Sequence, residues 1–260
     1  DQDDDLGYAC DVGFPLLASP PAVDRSFFAL PTSNGFVSAT YAVELFGVPA
    51  TFADGSSGTI DPAHRLITFT DHVMAQPTPS TWTRDLLFDL YLGLRVDGAG
   101  TWLGDVAESE AGYVNGTGMV RLVQQVDDVE LETFLFAPMH GGSYDLVVVG
   151  HATNTGGSAV AADLYSLQNL HAGGEGSADG EWVGDWGDGV LETRDGDRLY
   201  HRSIGATAHR SAAPGGNADH NPWMLLTAGA DLSDQLVSGD DVAVGFQWAL
   251  GGGTLDPGEE

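Results

Sequence analysis

The sequence predicts an all-β fold, a large antiparallel β-sandwich. Apolar and polar residues alternate with period two along much of the chain, while convincing helical periodicity is absent. Clusters of Gly, Asn, Asp and Pro punctuate the alternating runs at short intervals. The 260 residues, 42% of them hydrophobic, can bury a substantial core. No linker-like change of composition and no fixed-period repeat divides the chain. A single domain is therefore expected over residues 26–260, after an N-terminal extension over residues 1–25.

The elements follow in order. "GFVSATYAVELF" and "HRLITFT" read as strands, and "AQPTPST" as a connection whose prolines cannot continue one. The longest strand is "DLLFDLYLGLRV". Leu86, Phe88, Leu90, Leu92, Leu94 and Val96 share its core face; Asp85, Asp89, Tyr91 and Arg95 share the other, where ion pairing is expected. "VNGTG" is a turn that also carries a formal glycosylation acceptor at Asn115. "GMVRLVQQV", "VELETFLFAP", "YDLVVVGHAT", "DLYSLQNL" and "RLYHRSIGA" are strands, "EWVGDWGDGV" a glycine-rich acidic loop, and "SDQLVSG" a short helix. "DVAVGFQWAL" buries Val242, Val244, Phe246, Trp248 and Leu250. The expected core includes Phe88, Leu90, Leu92, Phe246 and Trp248.

Composition excludes some partners. All nine basic residues are arginine, against 38 acids, for a net charge of −29. Such a surface repels nucleic-acid phosphates and anionic lipid. No apolar run approaches the roughly 20 residues needed to span a bilayer. A lysine-free, aspartate-rich chain suits a secreted or extracellular protein, or one from a salty habitat where screening relieves self-repulsion. Cys10 has no partner within the chain, so no internal disulfide framework exists.

The order of several segments resembles the N-terminal β-supersandwich domain of glucoamylase- and glucodextranase-like glycoside hydrolases, in the galactose mutarotase-like superfamily. The carrying pieces are "LPTSNGFVSATY", "RLITFTDHVMAQ", "TRDLLFDLYLGLRV", "VELETFLFAPMHGGSYDLVVVGHATNTG", "LYSLQNLHAGG" and "DDVAVGFQWALGGGTLDPGEE". They cover most of Phe27 to Glu260. The resemblance implies a supersandwich that packs beside a separate helical barrel holding the hydrolytic carboxylates. No long amphipathic helices for such a barrel occur here, so this chain alone is expected not to catalyse hydrolysis. Related domains run one more strand after the "LDPGE" turn, which leaves the sheet to be completed by a further chain or domain.

Three chemistries remain as expectations. Exposed indoles stack on sugar rings, which makes Trp182, Trp186 and Trp223 the carbohydrate-binding candidates. Asp185, Asp188, Asp195 and Asp197 could supply oxygen ligands to calcium, although neither acidic turn follows EF-hand spacing. A mutarotase- or lyase-like enzyme would need a carboxylate base and an acid, often histidine. Glu132, His151 and His171 are the candidates, with His201, Glu175 and Glu192 also near strands. The stretch from Asp71 to Val96, rich in charge and carrying His72, Trp82 and Arg84, reads as a sheet brace, since no nucleophile–base–acid set emerges from its spacing. The remaining class is a structural subunit of an extracellular assembly.

Overall fold

The computed structural model describes residues 28–34, 37–43, 49–51, 57–59, 65–74, 81–85, 87–138, 145–170, 172, 180–194, 196–205 and 207–259. These form an all-β sandwich with one short α-helix among the described residues. Strands β1 (Phe28–Ser33), β2 (Val37–Val43), β5 (Arg65–Met74) and β6 (Thr81–Asp85) make the first sheet, while β3 (Pro49–Thr51) and β4 (Ser57–Thr59) form a small pair. The central sheet has the order β17-β18-β13-β7-β8, from β7 (Leu87–Val96), β8 (Ala99–Trp102), β13 (Ala162–Leu170), β17 (His209–Pro214) and β18 (Val242–Ala249). A meander follows the chain through β9 (Glu108–Tyr113), β10 (Val120–Val126), β11 (Val129–Phe136) and β12 (Val147–Asn154). The last sheet is β14 (Trp182–Trp186), β15 (Gly189–Arg194) and β16 (Asp197–Arg202). Neighbouring strands in these sheets run antiparallel.

Local sequence explains the strands. In β11 the residues Val129, Leu131, Thr133 and Leu135 are buried and alternate with half-buried Glu130, Glu132, Phe134 and Phe136. Between β7 and β8, Asp97 and Gly98 both have positive φ, 48° and 86°, as a two-residue hairpin turn of the twist-matched kind requires.

The meander packs on two sheets at once. Val120, Leu122 and Leu135 meet Leu30, Ala39, Tyr41 and Leu90, while Val126, Val129 and Leu131 meet Leu92, Leu94, Val96 and Leu164. The β14–β16 sheet lies on the same face of the central sheet, with Val183 and Val190 against Val242, Val244 and Phe246. Each fully buried Val, Leu or Phe among them contributes about 1.5–3 kcal/mol.

Leu90, Leu92 and Phe246 sit in the core as expected, and Trp248 is partly buried against it. The side chains of Phe88, Asp85, Asp89, His72, Trp82 and Arg84 lie outside the described residues, as do Cys10 and the 1–25 extension. Two expectations require correction. The second face of β7 is not a solvent face: Tyr91 is 6% exposed and joins Trp102, Tyr165, Leu167 and Leu226 in another core. Only toward the margin does ion pairing take over, where Arg95 donates to Asp163 at 2.7 Å and Asp231 at 2.6 Å. The short helix is also not "SDQLVSG". There, Val237 N–H donates to Ala212 O and Ala212 N–H to Gln235 O, so the segment runs extended along β17. The helix is α1 (Pro222–Thr227), started by Asn221, whose side chain accepts from the N–H groups of Trp223 and Met224, with Pro222 in the first turn.

This helix lies against the main chain of the central sheet. A Cβ on Gly100 would stand 2.0 Å from Leu226 O, one on Gly93 2.3 Å from Leu226 Cδ2, and one on Gly245 2.4 Å from Pro222 Cβ. Three strands therefore carry glycine where α1 makes its closest approach. No helix among the described residues is long and apolar enough to cross a membrane.

A candidate aromatic binding face

"EWVGDWGDGV" is a β-hairpin, a correction to the expected loop. Its turn at Gly187–Asp188 returns the chain as β15, and a second turn at Gly196 adds β16. Register then fixes three rows across the sheet: Trp182–Thr193–Arg198, Gly184–Leu191–Tyr200 and Trp186–Gly189–Arg202. Alternation sends these nine residues to one face, and Val183, Val190, Glu192, Leu199 and His201 to the other.

The inner face is anchored by polar groups as well as apolar ones. His201 Nδ1 lies 2.7 Å from Gln168 Oε1, and His201 Nε2 lies 2.9 Å from Glu192 Oε2. Both the His201 and Glu192 side chains are fully buried. Glu181 Oε1 accepts from Arg194 at 3.0 Å, and Glu181 Oε2 from Val242 N–H at 2.6 Å. Burial pushes the Glu181 carboxyl above its ordinary range, against the pull of the Val242 N–H and Arg194. These contacts tie the three-stranded sheet to β13 and β18.

The outer face presents aromatic rings to solvent. Trp182 is 54% exposed, Trp186 42% and Tyr200 50%. The Trp186 and Tyr200 ring centroids are 4.6 Å apart. The six-membered ring of Trp182 lies over Gly184, where a Cβ would come within 2.3 Å of it. The indole therefore leans along the strand over Gly184. Trp182 and Trp186, four residues apart, are separated by about 13 Å at the backbone. A shallow concavity opens beside Trp182, with Thr193, Gly196, Asp197 and Arg198 in its lining.

Trp182 and Trp186 are thus brought together, and Trp223 is not. Trp223 stacks on Trp102 at 4.5 Å and 6°, on α1 at the far face of the central sheet. Of the calcium candidates, Asp185 is held by Arg210 Nη2 at 2.8 Å, and Asp188 lies 3.9 Å from Arg202 Nε. Asp197 is half-buried at the start of β16, and Asp195 lies outside the described residues. No group of three or more His, Cys, Asp or Glu side chains able to hold a metal occurs among the described residues.

Glu132 and His151 are cross-strand neighbours on the outer face of the meander, 3.6 Å apart, and His171 lies outside the described residues. Arg121 binds both Glu132 and Glu110 there. The arrangement is a charge brace on an open sheet. Glu192 and His201 are sealed beneath β14–β16 rather than open to a substrate.

Sequence alone does not single out Tyr200, Arg198, Arg202 or Gly184. Their signal was the period-two pattern of "DRLYHR" beside the "WGDG" turn, which assembles the face only once register is known. No protein-family profile and no curated protein matches this chain.

Proposed function

We propose that this chain is a non-catalytic sandwich module that binds saccharide through the outer face of β14–β16. The supporting observation is the presentation of Trp182, Trp186 and Tyr200 on one exposed sheet face. Flat apolar rings with adjacent hydrogen-bonding groups suit the faces and hydroxyls of pyranose rings. The indole spacing accommodates a short oligosaccharide rather than a single ring. The segment order given above and the lysine-free acidic composition support placing the module in a secreted, glucoamylase-like carbohydrate-active protein. Native electrophoresis through gels containing soluble polysaccharides tests the reading. Retardation by at least one polysaccharide, abolished in Trp182→Ala/Trp186→Ala with the circular dichroism spectrum unchanged, is the expected result. Equal mobility in every gel would overturn it.

A second reading, a structural subunit completed by a strand from another chain or domain, has one observation of its own. Among the described residues β12 ends its sheet, and Asn154 on its free side already exchanges hydrogen bonds with Gly258 and Glu259. Stable association of the native protein into a defined assembly in light scattering is its test.

A further inference from the structure

The arginines of this chain are unevenly distributed. Four of the nine fall between Arg194 and Arg210. Arg194 is engaged by buried Glu181, and Arg210 by Asp185 and the carbonyls of Gly187 and Gly189. The other two, Arg198 and Arg202, stand exposed on the same face as the aromatic rings. Arg198 has no ion pair among the described residues. Among the described residues Arg202 has only Asp188, 3.9 Å away with both side chains about two-thirds exposed, a contact that competes weakly with a ligand.

Register makes the pattern periodic. Trp182 and Arg198 share one row, Trp186 and Arg202 another, each arginine two strands across from its tryptophan. The two rows repeat four residues, about 13 Å, along the sheet. An indole followed laterally by a guanidinium, presented twice in the same direction, matches a polymer in which each repeat carries a ring and an acid group.

We propose that this face recognises an acidic glycan, one bearing carboxylate groups at regular intervals, with sugar rings on Trp182 and Trp186 and carboxylates at Arg198 and Arg202. The proposal rests on the saccharide reading above and names its ligand class. Guanidinium donates two parallel N–H bonds to a carboxylate, a two-point geometry that neutral hydroxyls do not exploit. Asp188 beside Arg202 and Asp197 in the concavity with Arg198 are opposing charges, and they favour spaced over dense negative charge on the ligand. The whole chain, at −29, works the same way: a densely charged polyanion meets more repulsion than a glycan whose carboxylates are separated by neutral sugars.

The test is isothermal titration of the whole chain with an acidic oligosaccharide of alternating uronic acid and neutral sugar, with a neutral maltooligosaccharide of equal length, and with a single-stranded oligodeoxynucleotide. The acidic oligosaccharide should bind most tightly. Arg198→Gln and Arg202→Gln should each weaken it about tenfold and weaken any neutral binding much less. Trp182→Ala/Trp186→Ala should remove both. Neutral binding that equals acidic binding and ignores the arginine substitutions would overturn the acidic specificity and leave the saccharide reading standing. Absence of any saccharide binding would overturn both, and tighter binding of the oligodeoxynucleotide would replace them with a single-strand-binding surface.

Discussion

The indole of Trp182 lies across the Cα of Gly184, its neighbour two residues along the same strand, so closely that no side chain fits beneath it. Gly184→Val should lift the ring from the sheet. Acrylamide quenching of tryptophan fluorescence should rise, and saccharide affinity should fall about three- to tenfold, the value of one aromatic contact. Global stability should hardly change, because the position is on an outer face. Unaltered quenching together with unaltered affinity would show that the ring's posture does not depend on Gly184.

Gly100→Ala addresses the seat of α1. The added carbon would meet a backbone carbonyl, which cannot swing away as a side chain can, so the helix must shift. A loss of about 1–3 kcal/mol is expected in denaturant unfolding. Asn221→Ala removes the cap and the longer contacts of its side-chain amide with Ala213 O and Pro214 O, and should cost about 1 kcal/mol. If Gly100→Ala proves as mild as a surface substitution, the helix is not seated as tightly as described.

His201→Leu leaves Glu192 buried without its imidazole partner, and a loss of about 3–5 kcal/mol is expected. The double variant His201→Leu/Glu192→Leu should lose less than the sum of the single changes. Simple additivity in the cycle would mean that the two side chains do not interact.

Two acids should respond to pH in opposite directions. Burial raises the folded-state pKa of Glu181 above its ordinary 4.5, so the folded protein holds that proton more tightly than the unfolded chain. Relative to Glu181→Gln, the wild type should gain stability as pH falls toward 4.5 and then keep a constant offset. Asp231 is the reverse. The hydrogen bond from Gln247, then that from Arg95, lowers its pKa below 3.8, so its contribution is present above 3.8 and lost as pH falls further. Asp231→Asn should be less stable than the wild type at pH 7 and converge with it in acid. Calorimetric melting temperatures across pH 3–8 give both comparisons; parallel curves for either pair would contradict the corresponding assignment.

Strand identity was legible where one periodicity dominated. Leu90, Leu92, Leu94 and Val96 announced the core face of β7, and Val242, Val244 and Phe246 that of β18. What alternation could not show is that the opposite face is also covered, because Tyr91 and Tyr165 read equally well as half-wet residues. The Asn221–Pro222 pair is a helix-start signal in plain view, yet "SDQLVSG" drew the helical reading by composition. Its Leu236 and Val237 are claimed instead by β17, a tertiary pairing that local propensity does not contain. The candidate face was half legible. Trp182 and Trp186 stood out as residues, but Tyr200, Arg198 and Arg202 join them only through a register set by two turns.

The central sheet has a kinetic consequence. Its middle strand, β13, pairs with β7 on one side and β18 on the other, so Tyr165 must find both Gly93 and Gln247. Each partner is more than seventy residues away along the chain, and the connecting loops must close before either contact repays their entropy. Refolding should therefore be slow, on the order of seconds or longer, with the locally paired β9–β12 meander and β14–β16 hairpins protected from hydrogen exchange before β13. Until β18 docks, the strand that joins the two halves of the sandwich stays open to wrong partners, and the high net negative charge then serves to keep half-folded chains apart.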